Sequence, residues 1–189
     1  ASTFAAMVCA STLAGPFRVI AAAIGTLAGP LHGGANQRVV EMLDEIGRPE
    51  NVRDWLEMKQ EEKDVIWGMG HREYKTKDPR ANILQKMLHE WADKKGDLSP
   101  MFETALELER QCEEILGPKG VYPNVDYYSG ILYSEMGIPA DQFTPIFAVS
   151  RIAGWMAHWK EQLSDNRIFR PTQIYTGHPP RDYVPIDQR

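Results

Sequence analysis

The chain has 189 residues, 43% hydrophobic and 25% charged, which is the balance of a soluble globular protein with one or two domains and a substantial core. Its formal net charge of -5 argues against a general nucleic-acid binder, because such proteins normally present a basic face. Its two cysteines, Cys9 and Cys112, have neither zinc nor redox spacing, so we expect buried hydrophobic residues in a reducing compartment.

The amino-terminal segment is rich in alanine and glycine. We predict two helices here, over residues 2–14 and 16–28, joined at Gly15-Pro16. Both are apolar almost all round, so we expect burial on several sides and a place at a subunit interface. Arg18 and the Gly-Pro step leave the segment too broken for a membrane span of about 20 residues. Because ASTF leads directly into a helix without an initiator methionine, we expect the natural amino terminus to lie well upstream.

Four amphipathic segments follow, each with apolar residues at helical spacing. They span residues 35–47, 51–62, 79–94 and 100–116. The third predicts an inward face made of Ile83, Leu84, Met87, Leu88 and Trp91. Asp78 and Ser99 are good N-caps, each followed by a proline suited to the first helical position, and Gly117-Pro118 predicts the last stop.

The carboxy-terminal part predicts two more helices, over residues 124–136 and 141–163, and then a polar, proline-rich tail of extended chain from residue 164 onwards. The chain contains no alternating strand pattern longer than a few residues and no internal repeat. The predicted fold class is therefore all-α.

The first loop that could carry catalytic chemistry surrounds His32, in the sequence Gly29-Pro30-Leu31-His32-Gly33-Gly34. Its glycines allow the backbone to approach a ligand closely. Because His32 lies just before a predicted helix, whose amino end is positive, a neutral imidazole is favoured over the cation. A neutral histidine there is suited to donate a hydrogen bond to a developing oxyanion. The alternative is a histidine that caps a helix or stabilises a turn.

The second loop, residues 68–80, has two glycines before His71 and a run of cations after it. Arg72, Lys75 and Lys77 would suit a phosphate-bearing ligand. Arg80 lies in the first turn of a predicted helix, where it opposes the helix dipole, and this placement suggests an anionic partner. The alternative is a solvated charged loop.

Three more ionisable residues occupy unusual positions. Asp126 lies in an aromatic stretch that opens a helix, where the alternative is a plain N-cap or first-turn acid. Arg151 interrupts the most hydrophobic helix of the chain, so its guanidinium needs an anion, and both a protein and a substrate carboxylate remain open. Arg170 precedes a proline in the tail, so an extended segment can project its side chain. The alternative is an ordinary surface arginine.

The remaining histidines indicate no further site. His89 and His158 occupy ordinary helical positions, so we interpret both as structural, and His178 belongs to a turn. No pair of histidines has the spacing of metal ligands, and no glycine-rich strand–helix motif predicts a dinucleotide.

Five segments, in this order along the chain, resemble the successive motifs of the citrate synthase family. They are GPLHGGAN, GMGHREYKTKDPRA, PNVDYYSG, FTPIFAVSRIAGWMAHWKEQ and NRIFRPTQIYTG. The resemblance covers essentially the whole chain and identifies it as the carboxy-terminal half of a bacterial-type citrate synthase.

The resemblance implies a role for each loop. His32 would hydrogen-bond the acetyl-CoA carbonyl as it becomes an enol or enolate, Asp126 would remove the methyl proton, and His71 would donate to the oxaloacetate carbonyl. Arg80 and Arg151 would hold oxaloacetate carboxylates, and Arg170 would do so from the partner subunit of a dimer. The implied CoA-binding positions are Met69, Gly70, Arg72, Lys75 and Lys77.

The resemblance also implies an architecture, in which a small helical domain, residues 34–130, is inserted in a large one formed by residues 1–33 and 131–189. It implies a cytoplasmic homodimer or higher homo-oligomer of the tricarboxylic acid cycle, with acetyl-CoA and oxaloacetate as substrates and no metal, redox cofactor, nucleic acid or membrane. A further oxaloacetate-binding histidine of the family lies just upstream of ASTF, so we expect the isolated polypeptide to be inactive.

Three alternatives remain open at this point. A 2-methylcitrate synthase would use propionyl-CoA on the same scaffold, and a citryl-CoA-cleaving domain would run related chemistry in the other direction. A non-catalytic helical assembly module would retain inherited loops, although the intact set of His32, His71 and Asp126 argues against it.

Overall fold

A computed structural model describes residues 1–189, and the chain is helical throughout its ordered core. The helices are α1 (Ser2–Ser11), α2 (Pro16–Leu27), α3 (Ala35–Ile46), α4 (Val52–Glu62), α5 (Pro79–Lys95), α6 (Pro100–Leu116), α7 (Val125–Glu135) and α8 (Phe143–Ser164). Short 3-10 turns occur at Pro49–Asn51, Gly117–Lys119, Ala140–Gln142 and Ile186–Gln188. The only β-type pairing is an isolated bridge between Met69 and Pro123, so the predicted all-α class is confirmed.

The helix ends follow local capping chemistry. The Ser99 hydroxyl accepts the Phe102 amide at 3.2 Å, and the Asp78 carboxylate accepts the Arg80 amide at 2.9 Å, as predicted for these two caps. Sequence reasoning was wrong about the end of the first helix, which stops at Ser11 and not at residue 14. The chain turns there instead, and Leu13 adopts the left-handed region with φ 61°.

The helices enclose two separate hydrophobic cores. Helices α3 to α7 surround the larger core, in which Phe102, Tyr127 and Tyr128 are at most 1% exposed. Helices α1, α2 and α8 surround the smaller core, centred on the fully buried Trp155. The extended tail is held to α1 by Asn166, which donates to the Ser11 carbonyl at 3.0 Å.

Several apolar side chains expected to face inward are exposed in this chain. On α5, Ile83 is 61% and Met87 is 47% exposed, whereas Leu88 is buried. The buried stripe of α5 runs instead through Ala81, Leu88 and Ala92, because only that side of the helix meets the larger core. The outer sides of α1, α2 and α8 are also open, with Phe17 89% and Val149 73% exposed.

The predicted domain limits at residues 33/34 and 130/131 stay a prediction. The second limit falls inside α7, whose Ile131 and Leu132 lie in the larger core together with the residues before them. None of the eight helices has both the length and the hydrophobicity that crossing a membrane requires.

Candidate active site

A polar cleft of about 840 Å³ lies where the two groups of helices meet. Its walls come from the amino end of α1, the His32 and His71 loops, the starts of α5 and α7, and the middle of α8. The lining residues are Thr3, His32, His71, Glu73, Tyr74, Arg80, Asn124, Val125, Asp126, Phe147, Arg151, Gly154 and His158. Five residues singled out in the sequence thus face one space, although they are far apart along the chain.

His32 is held from the amino end of α1. The Ser2 amide donates to His32 Nε2 at 3.2 Å, and the Ser2 hydroxyl oxygen lies 2.9 Å from the same nitrogen. Because Nε2 accepts, the neutral ring carries its proton on Nδ1 and presents a donor there. Burial lowers the pKa of His32, and the positive charge of Arg151 acts in the same direction.

The His32 loop is fixed between the end of α2 and the start of α8 by Gly33. Its amide donates to the Leu27 carbonyl at 2.9 Å, and its own carbonyl accepts from the Thr144 hydroxyl at 2.8 Å. A Cβ atom on Gly33 would lie 2.3 Å from the Leu27 carbonyl oxygen, closer than any side chain permits. Glycine is required here for close approach of two backbone segments.

In His71 the acceptor is the other ring nitrogen from the one that accepts in His32. Its Nδ1 accepts the backbone amides of Glu73 at 3.1 Å and Tyr74 at 3.3 Å, and its ring lies against the Tyr74 ring at a centroid distance of 4.7 Å. The neutral ring therefore carries its proton on Nε2. The two imidazoles offer one free N–H donor each, from opposite nitrogens.

The His71 loop is joined to the segment before α7 by a ladder of main-chain bonds. The Gly70 amide donates to the Tyr122 carbonyl at 2.8 Å, the Asp78 amide donates to the Pro123 carbonyl at 3.1 Å, and the Asn124 amide donates to the Gly68 carbonyl at 2.8 Å. The Asn124 side chain adds a bond to the Gly70 carbonyl at 2.9 Å. These contacts hold His71 and Asp126 on one rigid frame.

Asp126 lies in the first turn of α7, so of the two sequence alternatives the first-turn acid is confirmed and the N-cap is wrong. The cap is Asn124, whose side-chain oxygen accepts the Asp126 amide at 2.9 Å. Burial raises the pKa of Asp126 to about 6, although the charges of Arg80 and Arg151 oppose the shift. A carboxyl with a pKa in this range is suited to accept a proton near neutral pH.

Arg80 reaches the cleft while paired to a buried carboxylate. Its Nη2 lies 2.7 Å from Asp78 Oδ2 and its Nε lies 3.0 Å from Asp78 Oδ1. Burial alone would raise the pKa of Asp78, but the hydrogen bonds and charge of Arg80 hold that pKa below its ordinary value. Since Arg80 keeps a side-chain exposure of 43%, it can still present its remaining N–H donors to an anion.

Arg151 reaches the cleft without a protein carboxylate as partner. Its guanidinium lies 4.8 Å from the centroid of the Phe147 ring, one turn earlier on α8, and it forms no ion pair within the chain. Burial and the charge of Arg80 lower the pKa of Arg151, while Asp126 opposes them. The sequence left open a protein carboxylate and a substrate carboxylate as the partner of Arg151. The structure has no protein carboxylate paired with it.

Six predicted binding residues do not line the cleft. Arg170 is exposed on the tail and borders a separate cavity, next to Phe169 and Phe4. Arg72 and Lys75 are exposed on the rim of the His71 loop. The remaining three, Met69, Gly70 and Lys77, belong to the same loop but are partly buried away from the cleft, and the Lys77 ammonium is paired with Glu109.

Sequence reasoning missed His158, which lines the cleft from α8. Its Nδ1 lies 3.4 Å from a Glu161 carboxylate oxygen. A signal was present: Arg151, Gly154 and His158 are spaced by three and four residues, so they lie on one face of a helix. His158 lies on a helix as predicted, and its interpretation as structural stays a prediction, because lining the cleft does not assign it a chemical role.

The cleft thus combines two imidazole donors, a carboxyl with a raised pKa and two guanidinium groups. This set is suited to remove a proton next to a carbonyl, to stabilise the oxyanion that results, and to hold a substrate that carries carboxylates. The all-α scaffold and this set of groups together define an acid–base site that suits a substrate with carboxylates.

Known proteins give the family. The family described as "Citrate synthase, C-terminal domain" matches residues 1–172, and the chain belongs to it. The citrate synthase of Acidithiobacillus ferridurans is 61% identical over all of this chain and 49% of its own length, and that of Synechocystis is 57% identical over all of this chain and 47% of its own length.

Solved structures of citrate synthases are similar to this chain in fold. A citrate synthase from Thermoplasma acidophilum, solved as a ternary complex with carboxymethyl coenzyme A and oxaloacetate, superposes with a TM-score of 0.92 at 41% identity, over 100% of this chain and 51% of that one. The citrate synthase of Thermotoga maritima gives a TM-score of 0.89 at 45% identity, over 100% of this chain and 51% of that one. The chain spans about half the length of the relatives it matches.

Proposed function

We propose that this chain provides the acid–base centre of a citrate synthase, which condenses acetyl-CoA with oxaloacetate and hydrolyses citryl-CoA to citrate and CoA. The observation that carries the proposal is the convergence of His32, His71 and Asp126 on one cleft. The relatives named citrate synthase favour acetyl-CoA over the propionyl-CoA alternative.

In the proposed first step, Asp126 removes a methyl proton from acetyl-CoA. An acetyl methyl is a very weak acid, so the new oxyanion must be stabilised as it forms. His32 does this by donating its Nδ1–H to the thioester carbonyl, and one such donor contributes roughly a hundred- to a thousandfold in rate. The raised pKa of Asp126 makes it a stronger base than an ordinary aspartate.

In the proposed second step, the enolate carbon attacks the ketone carbon of oxaloacetate, and His71 donates its Nε2–H to the ketone oxygen. Arg80 and Arg151 hold the carboxylates of oxaloacetate. The unpaired guanidinium of Arg151 supports this assignment, because a half-buried cation without a protein anion is stabilised by an anionic ligand.

The proposal extends to parts of the enzyme beyond this cleft. The exposed cations Arg72 and Lys75 on the His71 loop are proposed to contact CoA phosphates, together with Met69 and Gly70. Arg170 is proposed to reach the active site of a partner subunit in a cytoplasmic homodimer, with the open faces of α1 and α2 at the interface. No step requires a metal or a redox cofactor.

The test is a fusion of the amino-terminal half of the Acidithiobacillus ferridurans citrate synthase to residues 1–189, assayed for CoA release with acetyl-CoA and with propionyl-CoA. We expect turnover with oxaloacetate and a preference for acetyl-CoA. The isolated chain serves as the comparison and is expected to be inactive. A folded fusion that forms neither citrate nor methylcitrate would refute the proposed function.

A further inference from the structure

A buried polar cluster lies behind the His71 loop and joins that loop to three helices. It consists of Lys77, Gln85 on α5, Glu109 on α6 and Tyr128 on α7, and is called here the Lys77 cluster. The Lys77 ammonium pairs with the Glu109 carboxylate and donates to Gln85 Oε1 at 2.6 Å. Gln85 Nε2 lies 3.0 Å from Glu109 Oε2 and 2.9 Å from the Tyr128 hydroxyl, which itself donates to Glu109.

The Lys77 cluster has the features of a fully connected internal network. The Tyr128 side chain is completely buried, the Glu109 side chain is 11% exposed and the Lys77 side chain is 21% exposed. The Lys77 ammonium also lies 5.2 Å from the centroid of the Tyr128 ring. Because an unpaired charge at such a site is unfavourable, removing either ion would destabilise the arrangement of the other.

The cluster connects the two segments that carry the proposed acid and base. Lys77 ends the loop that carries His71 and directly precedes Asp78, the cap that holds Arg80. Tyr128 lies in α7 two residues after Asp126. The main-chain ladder described above joins the same two segments on the cleft side. The segments are therefore connected twice, by main-chain hydrogen bonds and by the Lys77 cluster.

We propose that the Lys77–Glu109 pair is a positioning device that fixes His71 against Asp126 in the geometry of the condensation. The inference rests on the proposed function, since it gives the pair a purpose within that reaction. It also reassigns Lys77, because an ammonium committed to Glu109 inside the protein is not a contact for the phosphates of CoA.

The test uses the fusion protein with Lys77→Met and Glu109→Gln as single variants and Lys77→Met/Glu109→Leu as the double variant. A misplacement of about 1 Å costs on the order of a hundredfold, so we expect kcat to fall by about ten- to a hundredfold in both single variants. The KM for acetyl-CoA should change by less than about twofold, because the groups that bind it are untouched. The double variant, which leaves no unpaired ion, should lose no more than the weaker single variant.

A second readout does not depend on turnover. The amides of Gly70, Asp78 and Asn124 bond across the two segments, so their hydrogen exchange reports whether the frame stays closed. We expect exchange to accelerate by about tenfold in Glu109→Gln. Lys86→Met, which removes an exposed lysine of α5 with a side-chain exposure of 79%, is the matched control and should change neither kcat nor exchange.

The outcomes separate the alternatives. If Lys77→Met raises the KM for acetyl-CoA at an unchanged kcat while Glu109→Gln has no effect, Lys77 is a CoA contact and the proposal is overturned. Unchanged kcat and exchange in Glu109→Gln overturn it as well. If Glu109→Gln does not fold, Lys77→Met, which removes the other ion of the pair, decides by the same two readouts.

Failure of the proposed function would be visible separately. If the unsubstituted fusion shows no condensation, faster exchange in Glu109→Gln still supports the frame, and unchanged exchange still overturns it.

Discussion

The Ser2 amide donates a hydrogen bond to His32 Nε2 across 3.2 Å, and this bond decides which ring nitrogen carries the proton. The start of α1 thus orients a donor whose loop follows α2. In the proposed reaction the His32 donor and the Asp126 carboxyl act on the same thioester, and separate variants test the role of each.

Replacing His32 by alanine should lower kcat by about a hundred- to a thousandfold, because one oxyanion donor is removed. The KM for acetyl-CoA should change little if the donor acts mainly in the transition state. Steady-state kinetics on the fusion protein measures both. His89→Gln, which changes an exposed histidine on α5 away from the cleft, is the control, and an equal loss there would contradict the assignment.

Asp126→Asn should abolish most activity yet stabilise the protein at alkaline pH. The folded protein holds the pKa of Asp126 near 6, against an ordinary value of 3.8, so keeping it ionised above pH 6 opposes folding by up to about 3 kcal/mol. Urea unfolding should show a gain of about 1–3 kcal/mol at pH 8 that disappears below pH 3.8, where both states bind the proton.

The control for this experiment is Asp93→Asn, which changes an exposed aspartate of α5 and should leave stability the same at both pH values. A variant Asp126→Asn that is less stable than the unsubstituted protein at pH 8 would mean that the carboxylate is stabilised by its cationic neighbours and not opposed by burial.

The activity should rise with pH through a midpoint of about 6, because only the ionised Asp126 accepts a proton. A plot of log kcat/KM against pH should have unit slope on the acid side. Removing Arg80, whose charge lowers the pKa of Asp126, should move the midpoint upwards. Arg38→Met, at an exposed site on α3, is the control and should not move the midpoint. A flat profile from pH 5 to 7, about one unit on each side of the pKa of Asp126, would exclude Asp126 as the base in this range.

Arg151→Met should raise the KM for oxaloacetate by roughly ten- to a hundredfold, the worth of one or two charge-assisted hydrogen bonds. Folding stability should not fall, because Arg151 has no protein carboxylate to lose. Calorimetric titration with oxaloacetate and thermal unfolding measure the two effects. The exposed Arg53→Met serves as control, and unchanged oxaloacetate binding in Arg151→Met would show that the guanidinium faces a different ligand.

Gly33→Ala and Gly25→Ala should have opposite effects. A Cβ at position 33 meets the Leu27 carbonyl oxygen, so we expect a loss of about 1–3 kcal/mol together with a displaced His32. A Cβ at position 25, inside α2, meets nothing within 4 Å, and alanine should stabilise that helix by about 0.5–1 kcal/mol. Denaturant unfolding of the two variants decides this, and equal effects would contradict the close approach.

Helix caps and loop motifs, which depend on neighbouring residues, could be predicted from the sequence. The caps Asp78 and Ser99 act on amides a few residues away, so the order of residues alone predicts where α5 and α6 begin. The motifs around His32, His71 and Asp126 were likewise recognisable, because glycine, proline and an ionisable side chain stand together in each. The all-α class followed from helical periodicity in every long segment.

The order of residues was enough to predict the helices, the caps of α5 and α6, and the set of groups able to perform acid–base chemistry. Helix packing is what pairs Lys77 with Glu109, brings His158 into the cleft and leaves Ile83 on α5 outside the core. The difference comes from distance along the chain. A cap or a turn depends on neighbours within a few bonds, whereas the partner of a charge and the buried side of a helix depend on how whole helices pack.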